Sequence, residues 1–247
     1  MDKKFDISFL EESIPPFLKY LDSKIDNETK HFIDLISNQC EVLIFSGVIR
    51  NFFIKHKGEL RDLDLVLNRI DDPRIADFFS KYTFRKNSFG GYKVEINNLP
   101  IDIWELDSTW ALNNSKVELE LFNDYNLPNT VFFNFSAVAF NYNTKKFIAS
   151  DSFIKFLETK EIDLVLEDNP LPALCIVNTI HYKVKYQLEI STNLKKYYAK
   201  NFDTYSQKDY ENIQIKHFKK ILYPYNYLKT WFNIFNLNLK YSATSTS

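Results

Sequence analysis

The sequence predicts an α+β protein in which a mixed β-sheet half precedes an all-helical half. Three observations predict it. Short apolar runs divided by turn residues recur up to about residue 150. Beyond that point the apolar positions recur at three and four, the period of a helix. The four glycines, Gly47, Gly58, Gly90 and Gly91, all fall in the first half and concentrate the tight-turn chemistry there.

The elements follow in order. Residues 9–22 and 28–38 have helical periodicity. Val42–Phe45 is a short buried strand, Ser46-Gly47 a turn, and Val48–Lys57 a helix closed by Gly58. Residues Asp62–Asn68 form a strand. Asp72-Pro73 opens a helix to about Lys81, with aspartate as N-cap and proline in the first turn. Gly91–Ile96 and Pro100–Leu106 form a hairpin around Asn97-Asn98, and Val131–Tyr142 and Lys146–Ala149 another around Asn143-Thr144. Asp151-Ser152 caps a short helix. Pro170–Glu189, Thr192–Lys200, Ser206–Leu222 and Pro224–Phe235 are helical, with serine, asparagine, aspartate or proline at most boundaries. The polar tail 241–247, YSATSTS, is expected to be disordered.

Composition narrows the function classes. The 247 residues are 45% hydrophobic and 17% aromatic, ample for a packed core, and the net charge is −1. A strong whole-protein field for nucleic acid is absent, so any basic surface is local. Cys40 and Cys175 lie far apart in apolar surroundings and read as buried thiols. The N-terminus lacks a signal-peptide core, and no apolar run approaches the roughly 20 residues that span a bilayer. A cytoplasmic location without membrane association is the expectation. The histidines, His31, His56, His181 and His217, have no ligand spacing and read as structural or surface residues.

The chemistry sits between Val42 and Leu67. Asp62 and Asp64 are two apart on a strand and project to one face. Adjacent carboxylates repel unless a cation lies between them, and oxygen donors suit magnesium. Arg61 reads as their local charge partner. Gly47 allows close approach of a phosphate at the turn, and Arg50, one turn into the helix, could grip it bidentately. Asp102, in PIDIW, alternates with apolar residues and is the leading third carboxylate, with Glu95 and Glu105 as competitors. Ser88-Phe89-Gly90-Gly91 is either a flexible loop over a nucleotide or a plain β-turn. Lys183, Lys185, Lys195, Lys196, Lys200, Lys216, Lys219 and Lys220, interleaved with tyrosines, suit either nucleic-acid contact or a solvated helix face.

In this order the pieces resemble the class II tRNA nucleotidyltransferases (CCA-adding enzymes) and bacterial poly(A) polymerases, members of the polymerase-β-like nucleotidyltransferases. The family's Gly-Gly-x-x-Arg-Asp turn corresponds to Ser46-Gly47-Val48-Ile49-Arg50-Asn51, and its Asp-x-Asp strand to Asp62-Leu63-Asp64. NFSAVAFNYNTKKFIASDSFIKFLETKEIDLV resembles the family's Thr-Ile-Asn-Ala-Leu-Ala-Tyr stretch followed by a strand, an aspartate and a short helix. LEDNPLPALCIVNTIHYKVKYQLEIS resembles its neck helix. The likeness covers about residues 38–238. It implies a nucleotidyltransferase-type catalytic head at 1–150 and a helical neck at 151–240, with the family's body and tail domains missing.

The departures are specific. Ser46 replaces a glycine and Asn51 an aspartate. Val131-Phe132 stands where the family has Arg-Asp, and Pro172 lies near its base-reading arginine, while Glu167 and Asp168 remain. The resemblance implies transfer of a nucleoside monophosphate from a nucleoside triphosphate to an acceptor hydroxyl, first an RNA 3′ end such as that of tRNA, with altered base selection. It implies Asp62, Asp64 and Asp102 as catalytic and metal-binding residues, Mg²⁺ (or Mn²⁺) as cofactor, and Ser46, Gly47, Arg50 and Asp168 as nucleotide contacts. The alternative is a non-catalytic nucleotide- or RNA-binding module that retains the fold.

Overall fold

Strands read from the first half join in one sheet, and its order explains where the acidic residues fall. The computed structural model describes residues 5–68, 82, 84–86, 91–116 and 124–244, with side chains to residue 240. The expected helix at 72–81 and most of the Ser88–Gly91 loop lie outside the described residues. The chain divides into two units, Met1–Val131 with Phe135–Glu158, and Phe132–Asn134 with Thr159–Ser247.

The first unit contains β1 (Val42–Phe45), β2 (Leu63–Leu67), β3 (Arg85–Lys86), β4 (Tyr92–Ile96), β5 (Leu99–Glu105), β6 (Val138–Asn141) and β7 (Lys146–Ala149). Their order across the sheet is β3-β4-β5-β2-β1-β6-β7. Among the described residues of this sheet β2 and β5 pair in parallel, and the other neighbours are antiparallel. All four residues of β1 are buried, because a central strand is covered on both faces. On one face lie α1 (Ile7–Glu12), α2 (Ile14–Asp22), α3 (Asn27–Ser37) and α4 (Gly47–Phe53), the last following β1 directly. Phe17 of α2 is fully buried there against Phe52, Phe140 and Phe147, with ring centroids 4.8–5.4 Å apart. The opposite face carries Leu43, Phe45, Val66 and Ala139, packed with Leu112 and Leu127 from outside the sheet.

Local chemistry sets the boundaries. The expected helix 9–22 breaks at Ser13, because Pro15 and Pro16 lack the N–H groups a continuous helix would use. Asp26 caps α3 by accepting from the Thr29 N–H at 2.7 Å, which holds its carboxyl below the usual range. Helix α4 stops at Phe53, well short of Gly58, since Lys55 takes a positive φ. Asn97 and Asn98 both have positive φ, as a two-residue hairpin turn requires. The strand expected from Val131 starts only at Val138. Before it, Phe132–Asn134 belongs to the second unit, where the Val165 N–H donates to the Phe132 carbonyl and Asn134 donates to the Glu161 carbonyl. Cys175 is buried, which pushes its thiol up, but Cys40 is only half-buried, at the end of α3's following turn.

The second unit is mainly helical: α7 (Pro172–Tyr186), α8 (Thr192–Asn201), α9 (Gln207–Phe218) and α10 (Tyr225–Thr244), after α5 (Trp110–Asn113) and α6 (Asp151–Thr159) earlier in the chain. Helix α7 ends before Glu189 because Gln187 turns left-handed and Glu189–Ile190 (β9) pairs in parallel with Glu161–Ile162 (β8). Helix α10 runs to Thr244, so the tail expected to be disordered from 241 is helical for its first four residues. Residues 245–247 are outside the described set. No described helix is long and apolar enough to cross a membrane.

Buried polar groups fasten this unit. Gln214 is fully buried and makes four hydrogen bonds: its amide donates to the Tyr210 and Tyr223 carbonyls, and its oxygen accepts from the Leu222 and Tyr223 N–H groups. It thereby closes the loop between α9 and α10. Truncation would leave several of these groups unpaired in the interior. Gln214→Ala is expected to cost about 2–4 kcal/mol in urea unfolding; a loss within about 0.5 kcal/mol would mean that the loop holds itself.

Candidate active site

The parallel pairing of β2 with β5 sets Asp64 directly opposite Asp102. Residues paired in register share a face, so the two carboxylates project side by side. Phe45, the last residue of β1, occupies the same row on the other side of Asp64. The chain then turns at Ser46-Gly47 into α4. A Cβ added at Gly47 would lie 3.9 Å from Asp64 Oδ2, so the turn abuts the carboxylate. Asp62 precedes the strand on the same side. The competitors for the third position lie elsewhere: Glu95 is exposed opposite Pro100, and Glu105 alternates to the other face.

Asp64 carries the electrostatic load. Burial and the charges of Asp62 and Asp102 push its carboxyl up to about 7, with Arg61 and Arg50 opposing the shift. Asp62 accepts from Arg61 at 2.7 Å, as the sequence suggested for that arginine. Asp102 is paired with Lys93, whose Nζ lies 3.0 Å from Oδ2. Lys93 stands on β4, across Asp102 from Asp64, so it flanks the acidic pair rather than separating it. Sequence reasoning missed Lys93. The signal was present: once Asn97-Asn98 is taken as a two-residue turn, counting outward equally on both sides places Lys93 opposite Asp102.

Arg50 follows the turn on α4. Its Nε and Nη2 both donate to Asn51 Oδ1 at 3.4 Å, and its guanidinium lies 5.2 Å from the centre of the Phe135 ring. Ser46 has φ 51° and ψ −88°, a region open essentially to glycine. Its side chain makes no capping bond to α4. Asp168 belongs to the second unit and is exposed on the loop before α7, close in sequence to Glu167, which pairs with Lys200 at 2.9 Å. Pro172 occupies the first turn of α7.

Among the described residues no three acidic, histidine or cysteine side chains form a metal cage. The aspartates supply a partial set of hard oxygen donors. Magnesium accepts such a set when phosphate oxygens and water complete its shell.

No protein-family model and no curated protein matches the sequence. Solved structures do match in fold. A CCA-adding enzyme complexed with CTP aligns over 90% of this chain and 55% of its own, with a TM-score of 0.63 at 14% identity. The Thermotoga maritima CCA-adding enzyme complexed with tRNA aligns over 89% and 54%, with a TM-score of 0.61 at 15% identity. A tRNA nucleotidyltransferase complexed with a primer tRNA and an incoming ATP analogue aligns over 75% and 54%, with a TM-score of 0.53 at 14% identity. The chain has the fold of the CCA-adding enzymes. It spans about half the length of these CCA-adding and tRNA nucleotidyltransferase chains.

Two outcomes follow from the geometry. Ser46→Gly relieves a strained residue and is expected to stabilise the protein by about 1 kcal/mol, since the strain of about 1–3 kcal/mol exceeds the added unfolded-state entropy; destabilisation in urea would contradict the strain. For Asp64, the folded protein holds the proton more tightly than the unfolded chain. Its contribution to stability therefore falls as pH rises from about 4 to about 7. Asp64→Asn should gain about 2 kcal/mol relative to the native protein across that window, after allowance for screening at a partly exposed site. Unfolding curves that keep a constant difference between pH 4.5 and 8 would rule this out.

Proposed function

We propose that the chain is a metal-dependent nucleotidyltransferase that moves a nucleoside monophosphate from a nucleoside triphosphate to the 3′ hydroxyl of an RNA, tRNA-like in its 3′ end, with altered base selection. The observation that carries this reading is Asp64 beside Asp102 in adjacent parallel strands, against the Ser46-Gly47 turn. The fold's matches include enzymes complexed with ATP, CTP and tRNA. The first unit then serves as the catalytic head, near residues 1–150, and residues 151–240 as the neck.

In this reading the triphosphate lies along Ser46-Gly47 with Arg50 on its phosphates. Arg50 suits this role because a guanidinium one turn into α4 can offer two parallel donors to a phosphate. Asp62, Asp64 and Asp102 would hold Mg²⁺ (or Mn²⁺), which neutralises phosphate charge when bound. The acceptor oxygen would bond to the α-phosphorus as the bond to pyrophosphate breaks, and Asp102 would take the hydroxyl proton. The chain contributes positioning and electrostatic complementarity. Pro172 offers no side-chain donor to a base, which supports altered selection, and Asp168 is kept as a proposed nucleotide contact.

The ion pairs Arg61–Asp62 and Lys93–Asp102 favour a second reading, a nucleotide- or RNA-binding module without turnover. One experiment separates them. The protein is incubated with Mg²⁺, each labelled triphosphate and total RNA, beside Asp62→Ala/Asp64→Ala. Label transfer that falls at least a thousandfold in the double variant is expected; its absence from the native protein with every triphosphate leaves the binding module. In the enzyme, Lys93→Met is expected to lower the Mg²⁺ needed for half-maximal transfer about fivefold, by releasing a carboxylate from an exposed ion pair.

A further inference from the structure

Arg50 and Phe53 lie three residues apart on α4 and so share one face of it. Both are tied to the same set of rings. The Arg50 guanidinium lies 5.2 Å from the centre of the Phe135 ring, in the short 3₁₀ turn before β6. Phe135 meets Phe156 of α6 at 5.7 Å, Phe156 meets Phe153 at 6.4 Å, and Phe153 meets Phe53 at 5.3 Å. The circuit starts and ends on α4, and all of it falls in the first unit. Phe135, Phe153 and Phe156 are fully buried, so close packing fixes the ring that the guanidinium meets.

The contact restrains Arg50 in a particular way. A ring face attracts a cation through its quadrupole and leaves the cation's charge intact. Asn51, which accepts from Nε and Nη2 of Arg50, is neutral as well. Neither contact cancels the guanidinium's charge, and that charge acts on Asp64, whose carboxyl it helps to hold down. Both residues also differ from their counterparts in the family that the sequence resembles. Asn51 stands for an aspartate, and Phe135 for the isoleucine of Thr-Ile-Asn-Ala-Leu-Ala-Tyr. An acid beside the arginine is replaced by an amide, and an aliphatic chain without a π face is replaced by a ring. The pair of changes exchanges restraint by opposite charge for restraint by a ring.

We propose that Phe135 is a positioning residue for Arg50, holding the guanidinium against its ring so that it meets a phosphate with its orientation already set. The choice of a nucleotide's phosphates rests on the triphosphate site proposed above; the hold on Arg50 does not. A preset guanidinium loses less freedom on binding, so the gain appears as tighter binding of triphosphate and not as a faster chemical step.

The test replaces Phe135 with phenylalanines of increasing ring fluorination, which withdraw charge from the ring face at nearly constant shape. The dissociation constant for nucleoside triphosphate with Mg²⁺, without RNA, is expected to rise step by step to about fivefold, while the urea midpoint stays put. In transfer, KM should rise along the series with kcat unchanged. In protein free of nucleotide, the heteronuclear NOE of the Arg50 Nε–H, assigned by its loss in Arg50→Lys, should be that of a rigid group and fall in the same order. Phe135→Leu, which keeps an apolar side chain and removes the ring, should match or exceed the most fluorinated protein in both measurements. A dissociation constant or an NOE that ignores fluorination overturns the inference, as does a loss of affinity that only follows the urea midpoint. An NOE that falls with fluorination in a protein that binds no triphosphate leaves Arg50 held by Phe135 and counts against the triphosphate reading alone.

Discussion

Asp64 and Asp102 are held opposite each other in the sheet's parallel pair, and the repulsion between them shapes what surrounds the site. Two carboxylates in adjacent strands are unfavourable at short range unless charge of the other sign is nearby. The chain answers with a cation for each flank: Arg61 on Asp62 and Lys93 on Asp102. Burial and the charges of Asp62 and Asp102 raise the Asp64 carboxyl, with Arg61 and Arg50 opposing them. Residual unfavourable charge at this half-buried point is what a divalent cation would relieve.

The strain at Ser46 belongs to the same arrangement. A short turn must reverse the chain from the end of β1 into α4 while staying against Asp64, and a positive φ achieves this. Serine at a glycine-like conformation, Asn51 in place of an acidic partner for Arg50, and Lys93 beside Asp102 all act on the phosphate-and-metal end of the proposed reaction. Pro172 and Phe132 act on its nucleotide-reading end.

Much of this was legible in the sequence. Asp64 on β2, with Asp62 just before that strand, and Asp102 between Ile101 and Ile103 follow from the period of two. Asn97-Asn98 marked its hairpin because both residues tolerate positive φ. Other features were hidden by distance along the chain. Nothing local in Glu189–Ile190 announces a strand, which forms because Glu161–Ile162 supplies its partner. Nothing local in Phe132–Asn134 says that it leaves the sheet, because its hydrogen-bond partners Glu161, Asp163 and Val165 come about thirty residues later. The disordered tail was misjudged at its start, where α10 continues through small polar residues to Thr244.

By itself, the sequence determined the class of the fold, the faces of the strands and the residue types able to do chemistry, because periodicity and turn preference are short-range properties. Which strands became neighbours was decided only by the tertiary structure. Strand order requires closure of long loops, and its outcome depends on the whole core, not on any one segment. That decision put Asp102 next to Asp64 and Lys93 next to Asp102, and so set the charge that defines the site.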